Sequence, residues 1–367
     1  MLHITNGESV SIPQTGLPGQ VVCWDDILHD GPVPGGLSLQ ELSWIRERFL
    51  AEFFAVPLSE VSFARRDEAI TRFHDHEEVI LWFEHDLYDQ LQLIQILDWF
   101  LRQDLEGTLI SLISVDLYLG PMGPEQLLPL FKTPHTVTAA EFEAARAAWD
   151  AFCSPKPTEL VALLEPGSSG LPFLRRALLR HLQQFPALHN GLSRAERQIL
   201  ELAGSGVHRP SELFRAAQRL GKNIWMGGST FRQYLQGLAK ARQPLLSSEA
   251  SGFGITPLGQ LVLARILSLG GSRSSVHHGV RKGTDDTSLI DCLPDPCGDN
   301  RRICAEIEQD RSLEAMWAGD DHAHSTTKWI GSNPSLVLLF DVPASGLDSS
   351  LNPLAARGSD TPAVEDD

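Results

Sequence analysis

The first third of the chain alternates short apolar runs with amphipathic segments. The apolar runs are predicted to form strands buried on both faces, and they cover residues 2–5, 20–24, 79–83 and 108–115. Hydrophobic side chains recur at helical spacing between them, in residues 39–54, 58–73 and 91–102. In the last of these segments, we expect Gln92, Gln95 and Asp98 to face away from the core. The alternation predicts an α/β domain over residues 1–122, with a mainly parallel sheet and flanking helices.

Polar and mostly ionisable side chains follow the predicted strands at the points where they end. In chain order they are Asn6, Gly7, Asp26, His29, Asp30, Glu84, His85, Asp86 and Asp116. The carboxyl ends of parallel strands lie at one edge of a sheet, where open α/β folds bind their ligands. We therefore expect these residues to share one pocket although they are far apart in the sequence.

The chemistry of these side chains suits either of two roles. The candidate catalytic residues are Glu84, Asp86, His85, Asp26 and His29, and the candidate ligand-binding residues are Asn6, Gly7, Ser9, Asp30 and Asp116. Clustered carboxylates and imidazoles suit a hard divalent cation, or a general acid–base pair with separated pKa values. Both roles stay open, and the pattern identifies no particular metal.

The turn at Asn6-Gly7 also has two interpretations. A strand, a glycine and a helical turn can present backbone N–H groups to the phosphate of a nucleotide-like ligand. The alternative is an ordinary turn in which Ser9 caps a short helix that Pro13 limits. The chain has no GxSxG, GxGxxG or GxxxxGK[ST] motif, so nucleophile-elbow, dinucleotide and P-loop chemistry have no support.

The directions of the side chains at the third strand can be predicted from strand geometry. Successive side chains alternate, so Glu84 and Asp86 share one direction and His85 takes the other. Asp89 falls in the first turn of the following helix, where a carboxylate complements the helix dipole. Glu84 and Asp86 are therefore the stronger candidates, and Asp89 is interpreted as a helix-start residue.

Two further regions follow the sheet domain. Residues 123–190 are predicted to be a helical connector that packs on the sheet. Residues 191–269 predict three helices, a hairpin and a closing helix, which is a winged helix-turn-helix outline. The third helix would present Arg232, Gln233, Gln236 and Lys240 to nucleic acid. Winged helices also serve as protein-interaction modules, so both roles remain open.

Charge separates the helical region from the rest of the chain. The whole chain has a net charge of −17, which disfavours general nucleic-acid binding, whereas residues 192–268 carry 10 Lys/Arg and 4 Asp/Glu, a net of +6. Residues 271–367 carry 17 Asp/Glu and 8 Lys/Arg, a net of −9, without hydrophobic periodicity. We therefore expect residues 270–367 to be a mostly disordered acidic tail.

The sequence also constrains the compartment. It has no apolar run of the length that spans a membrane, and its first residues lack the basic and apolar regions of a signal peptide. The five cysteines are irregularly spaced, which favours free thiols over a disulfide framework. We expect a cytoplasmic protein that does not contact membranes. The sequence leaves its oligomeric state open.

Several long motifs resemble a bacterial family catalogued as domain of unknown function 1835. They are LHITNGES at residues 2–9, WDDILHDGPVP at 24–34, WFEHDLYDQL at 82–91, LPFL at 171–174 and NGLSRAERQ at 190–198. The resemblance covers about residues 1–268 and implies no established activity. Asp25 stands where such proteins look to carry Arg, which weakens an anion-binding role for that loop.

Three functions follow from these observations. The first is a ligand- or metal-binding α/β domain, hydrolase-like on a phosphorylated or nucleotide-like substrate, fused to a winged helix. The second is a transcriptional regulator that binds DNA through residues 192–268 and uses the α/β domain as its sensor. The third is a structural adaptor.

Overall fold

The computed structural model describes residues 1–164, 170–187, 191–220 and 224–271. The acidic tail expected over residues 270–367 lies outside these residues from position 272 onward.

A five-stranded sheet organises the N-terminal half of the chain. Its strands are β1 (Leu2–Thr5), β2 (Gln20–Cys23), β3 (Glu78–Glu84), β4 (Leu109–Val115) and β5 (His135–Thr136), in the order β2-β1-β3-β4-β5. The pairs β1–β2, β1–β3 and β3–β4 are parallel, and the short edge strand β5 is antiparallel to β4. This confirms the predicted α/β fold with a mainly parallel sheet. The sequence does not predict the edge strand β5, because a strand of two residues is too short to show a hydrophobic period.

Both faces of the sheet are covered by other elements. One face, with Leu81 and Phe83 of β3, packs in a core that includes residues of five helices. The other face, with Ile80 and Trp82, packs against the helix Pro124–Leu130 and a 3₁₀ turn at Ile12–Thr15. Alternate residues of β3 thus enter two different cores, which explains why its apolar run is continuous.

Six helices accompany this sheet. They are α1 (Leu39–Phe54), α2 (Ala64–Thr71), α3 (Leu87–Leu101), α4 (Pro124–Leu130), α5 (Ala139–Phe152) and α6 (Leu174–Leu182). The continuous helix expected over residues 58–73 is wrong. A 3₁₀ turn at Leu58–Glu60 precedes α2, because Val61 between them adopts an extended backbone with φ −114° and ψ 118°. Residues Pro157–Leu164 form a 3₁₀ helix as well.

Helix α3 is buried on all sides, which corrects the expectation that Gln92, Gln95 and Asp98 face away from the core. It packs against β3 and against both α5 and α6. Trp24 donates its indole N–H to Gln95 Oε1 over 2.7 Å, and Gln92 Nε2 donates to the Asp26 carbonyl over 2.9 Å. The polar face of the helix is thus used for buried hydrogen bonds rather than for solvation.

The remaining described residues form a second, smaller core. Its elements are α7 (Arg194–Gly204), α8 (Pro210–Leu220), α9 (Gly228–Lys240), the antiparallel strands β6 (Leu246–Glu249) and β7 (Gly252–Ile255), and α10 (Pro257–Gly271). We call α7 through α10 with this hairpin the helical module. Gln233 of α9 donates to the Phe53 carbonyl at the end of α1, and Trp225 packs in the core of the α/β domain. The module is therefore joined to the α/β domain by direct contacts.

Candidate functional site

The carboxyl ends of β1 and β3 bring two distant segments together. Asn6 follows β1, and Glu84 is the last residue of β3, which pairs with β1 in parallel. Asn6 Nδ2 donates to Asp89 Oδ2 over 2.8 Å, although the two residues are 83 positions apart. The predicted convergence of the strand ends therefore holds for these two strands.

Three carboxylates form a compact cluster at this edge of the sheet. They belong to Glu84, Asp86 and Asp89, and one oxygen of each lies within 4.8 Å of the others. Their exposed fractions are 4 %, 5 % and 0 %. Isolated buried charges are costly, so a cluster of three carboxylates requires a compensating partner or protons.

Backbone N–H groups hold each carboxylate of this cluster in place. Glu84 Oε1 accepts the Leu119 N–H over 2.6 Å. Asp86 is the N-cap of α3, and its Oδ1 accepts the Asp89 N–H over 3.0 Å. Asp89 Oδ1 accepts the Glu84 N–H over 2.6 Å. The strand end and the helix start thus preorganise the oxygens before any ligand arrives.

No basic side chain neutralises the cluster among the residues that the structure describes, since none forms an ion pair with Glu84, Asp86 or Asp89. Burial raises the pKa of Asp86 to about 7, and repulsion from Glu84 acts in the same direction. Burial also raises the pKa of Glu84, and it raises that of Asp89 well above its usual value. The cluster therefore holds protons at pH values where ordinary carboxyl groups have lost them.

Two neutral oxygens beside the cluster have no hydrogen-bond donor among the residues that the structure describes. They are Asn6 Oδ1, whose amide nitrogen already binds Asp89, and Gln90 Oε1, whose amide nitrogen donates to the Glu84 carbonyl over 2.6 Å. Both residues are at least nine-tenths buried. Carboxylate and amide oxygens are the ligands that Mg²⁺, Ca²⁺ and Mn²⁺ prefer, so this donor set suits a hard divalent cation.

His85 points away from the three carboxylates. Its Nδ1 lies 3.6 Å from Asp116 Oδ1, and its ring lies 4.9 Å from that of Tyr118. Burial lowers the pKa of His85, and the nearby Arg176 lowers it further, so the imidazole is neutral at pH 7. Asp116 is 63 % exposed at its side chain and pairs with Arg176 over 2.9 Å. These residues form a separate group beside the cluster.

Asp26 is bound to a basic partner instead of the cluster. Arg46 Nη2 donates to Asp26 Oδ1 over 2.7 Å, and Arg46 Nε donates to both carboxylate oxygens. The side chains of both residues are fully buried. Arg46 also donates to the carbonyl groups of Ile27, Asp30 and Pro32. This ion pair therefore clamps the loop after β2, and it accounts for Asp26 without a ligand.

His29 lies on the far side of that loop. Its ring is 4.6 Å from that of Trp225, which stands between α8 and α9. Burial lowers the pKa of His29 to about 3, and the charge of Arg46 adds to this effect, so His29 is neutral and makes no ion pair with Asp30. The structure thus brings His29 into contact with Trp225, and its ring also lies 6.0 Å from that of Tyr88 in the first turn of α3.

Gly7, in the loop after β1, packs closely against the side chain of Asp25. A Cβ on Gly7 would lie 2.6 Å from Asp25 Oδ1, so a larger residue would displace the Asp25 side chain. Ser9 is exposed and lies beside Gly120. The expected cap at Ser9 is wrong, because the helical turn begins at Ile12 with Ser11 at its N-cap.

Sequence reasoning missed two members of the site. Asp89 was interpreted as a helix-start residue, and Gln90 was not selected. The sequence contains one signal that Asp89 lies close to Asp86. Asp86 stands three residues before it, and an acidic N-cap and an acidic third residue of a helix face each other across its first turn. Helix propensity alone explains such a pair equally well, so only the contact with Asn6 identifies Asp89 as part of the cluster.

The four nucleic-acid candidates of α9 fall into two groups. Arg232 and Lys240 are exposed, and Lys240 Nζ donates to Gln236 Oε1 over 3.3 Å. Gln233 donates to the Phe53 carbonyl over 3.2 Å, so its amide nitrogen is used within the protein. The helix therefore presents two cations to solvent and attaches to the α/β domain between them.

Comparison of the chain with protein-family models found no match, and comparison with curated proteins found none either. Within the described residues, no helix is both long and apolar enough to cross a membrane.

Proposed function

We propose that the α/β domain is a metal-dependent domain that binds one divalent cation through Glu84, Asp86 and Asp89. The observation that carries this proposal is the cluster of three buried carboxylates with oxygens within 4.8 Å and no basic residue in contact among the described residues. A divalent cation neutralises most of that charge, and Asn6 Oδ1 offers it a further oxygen.

A cation at this position suits chemistry on a phosphorylated or nucleotide-like substrate. Divalent ions held by carboxylates bind substrate phosphates and lower the pKa of bound water, which makes a nucleophile for hydrolysis. Asp86, whose pKa is raised to about 7 without metal, would bind the cation in its ionised form and would release its proton on binding. The proposed activity is therefore hydrolysis of such a substrate, with Asn6 and the Gly7 turn close to its phosphate.

Metal titration of the full chain tests this function. Isothermal titration with MnCl₂ and MgCl₂ after dialysis against EDTA is expected to show one site, and thermal melts are expected to shift upward with either ion. Absence of heat and of any shift at millimolar concentrations of both ions would remove the metal function. If the protein also failed to bind DNA, the structural-adaptor function would be the candidate that remains.

The second candidate function is DNA binding by the helical module, with the α/β domain as a sensor. We propose that α7, α8, α9 and the hairpin β6–β7 form a winged helix, and the exposed Arg232 and Lys240 of α9 support a contact with phosphates. The bond from Gln233 to Phe53 argues against full insertion of α9 into a groove. Metal-dependent function is therefore preferred.

The motifs above also support membership in the domain of unknown function 1835 family.

A further inference from the structure

A largely apolar cleft with a few basic and amide side chains lies where α6 meets the helical module. Its basic and amide side chains come from three helices: Arg180 from α6, Arg194 and Gln198 from α7, and Gln218 from α8. Trp225 forms an aromatic wall, and the rest of the lining is apolar. The cleft contains none of the three carboxylates proposed to bind metal, so it is a distinct site.

Arg180 has no anionic partner among the residues that the structure describes. Its Nη1 atom is buried and makes no hydrogen bond there, and its guanidinium carbon lies 5.0 Å from the centre of the Trp225 ring. Burial lowers the pKa of Arg180 to about 9, and repulsion from Arg194 is the next cause. Contact with an indole face offsets only a part of the cost of burying a cation.

The neighbouring Arg194 is also a cation, and the bond that it makes brings no negative charge to the cleft. Its Nη1 donates to Gln183 Oε1 over 2.6 Å, which is a bond to a neutral amide. The start of α7 already has its own carboxylate, because Ser193 and Glu196 form a capping box there. The two guanidinium groups nevertheless meet in one cleft, and their donors favour an anion.

We propose that this cleft binds the phosphate group of a small ligand through Arg180 and Arg194. Guanidinium groups match the oxygens of phosphate with paired N–H donors, so phosphate would supply the acceptor that Arg180 Nη1 lacks. Trp225 would pack against any ring attached to the phosphate. The inference concerns a second site and does not depend on the proposed metal function.

Phosphate titration with matched variants of the full chain tests this site. Titrations with inorganic phosphate and with phenyl phosphate are made in EDTA at constant ionic strength, with chloride as the reference anion. We expect Arg180→Gln to weaken phosphate binding by about tenfold or more, because a charged hydrogen bond is lost. Arg176→Gln, an exposed arginine of the same helix, should bind as the wild type does. Tighter binding of phenyl phosphate than of inorganic phosphate would assign the ligand a ring.

Stability in the absence of phosphate separates a binding role from a structural one. Removal of an unpaired buried cation should leave the melting temperature of Arg180→Gln equal to or above that of the wild type. Arg194→Gln provides a second variant with the same expected loss of affinity if Arg180→Gln does not fold. Binding that is absent in the wild type, or equally strong in both variants, would overturn the proposal.

Discussion

The side chain of Asn6 donates a hydrogen bond from Nδ2 to Oδ2 of Asp89 over 2.8 Å. This bond links the end of β1 to the first turn of α3. The second oxygen of Asp89 accepts the Glu84 N–H, so this fully buried carboxylate has a donor at each oxygen. Asp89 therefore has a structural role as well as its place in the cluster, and Glu84 and Asp86 provide the cleaner tests of metal binding.

The first prediction separates metal binding from folding. Glu84→Gln retains an oxygen that can accept the Leu119 N–H, and Asp86→Asn retains a good helix N-cap. Each removes one negative charge from the cluster. Both variants should melt without metal at or above the wild-type temperature, whereas Mn²⁺ affinity should fall by about tenfold or more, because ligand charge sets affinity. Calorimetric titration and thermal melts with and without Mn²⁺ measure both effects.

The matched contrast for these variants is Asp89→Asn. An asparagine at this position has one acceptor oxygen for two donors, so we expect it to lose about 1–3 kcal/mol of stability in addition to metal affinity. Strong destabilisation of Glu84→Gln and Asp86→Asn, both with and without Mn²⁺, would identify the cluster as a structural network and remove the metal site.

The second prediction concerns pH. The folded pKa of Asp86 is raised from 3.8 to about 7, so the folded protein retains a proton that the unfolded chain has already lost. The stability contributed by that proton is complete below about pH 4 and is lost as the pH rises through 7. Without metal, the unfolding free energy of the wild type minus that of Asp86→Asn should therefore fall between pH 5 and 7.5. Bound Mn²⁺ should reduce this fall, because the cation replaces the proton.

The wild type must be compared with Asp86→Asn because other groups change the unfolding free energy with pH in the opposite direction. Burial lowers the pKa of both His29 and His181 to about 3, so their contribution to stability rises with pH up to about their unfolded value of 6.5. Urea unfolding of both proteins at each pH separates the two effects. Identical pH profiles for wild type and variant would contradict the raised pKa of Asp86.

The third prediction concerns the buried pair of Asp26 and Arg46. Asp26→Asn leaves the charge of Arg46 buried without a counter-ion, so we expect a loss of about 3–5 kcal/mol in the free energy of unfolding. Arg146→Gln serves as the control, because the pair of Arg146 with Glu143 is exposed and screened by solvent, so its loss should change stability little. Equal losses in the two variants, measured by urea unfolding, would show that the Asp26 pair is no more important than a surface pair.

The fourth prediction tests the helical module against DNA. If it binds duplex DNA, the double variant with Arg232→Ala and Lys240→Ala should flatten the salt dependence of affinity by about two phosphate contacts, on the order of one per residue. Gel-shift titrations of random duplex at several salt concentrations measure the slope. Unchanged binding in the double variant would favour a protein-interaction role for the module.

The sequence determined most of the elements and the edge of the sheet at which the cluster lies, but not the break at Val61 or the edge strand β5. Continuous apolar runs give β1, β3 and β4, because the periods of strands and helices are local properties of the chain. Because β1 and β3 run parallel, Asn6 and Glu84 lie at the same edge of the sheet. Side chains alternate in direction along a strand, so His85 points away from Glu84.

Only the tertiary structure decided which polar groups belong to the cluster. Asp26 and Asp89 are both acids near a strand end, yet one meets Arg46 of α1 and the other meets Asn6, which follows β1. Helix α3 likewise has a polar face whose pattern predicts solvent exposure, but Gln95 accepts a hydrogen bond from Trp24 and Gln92 donates one to the Asp26 carbonyl. The partner of a buried polar group comes from another part of the chain, so the local pattern cannot name it. The packing of sheet and helices supplies that partner, and the cost of leaving such a group unpaired makes the choice specific.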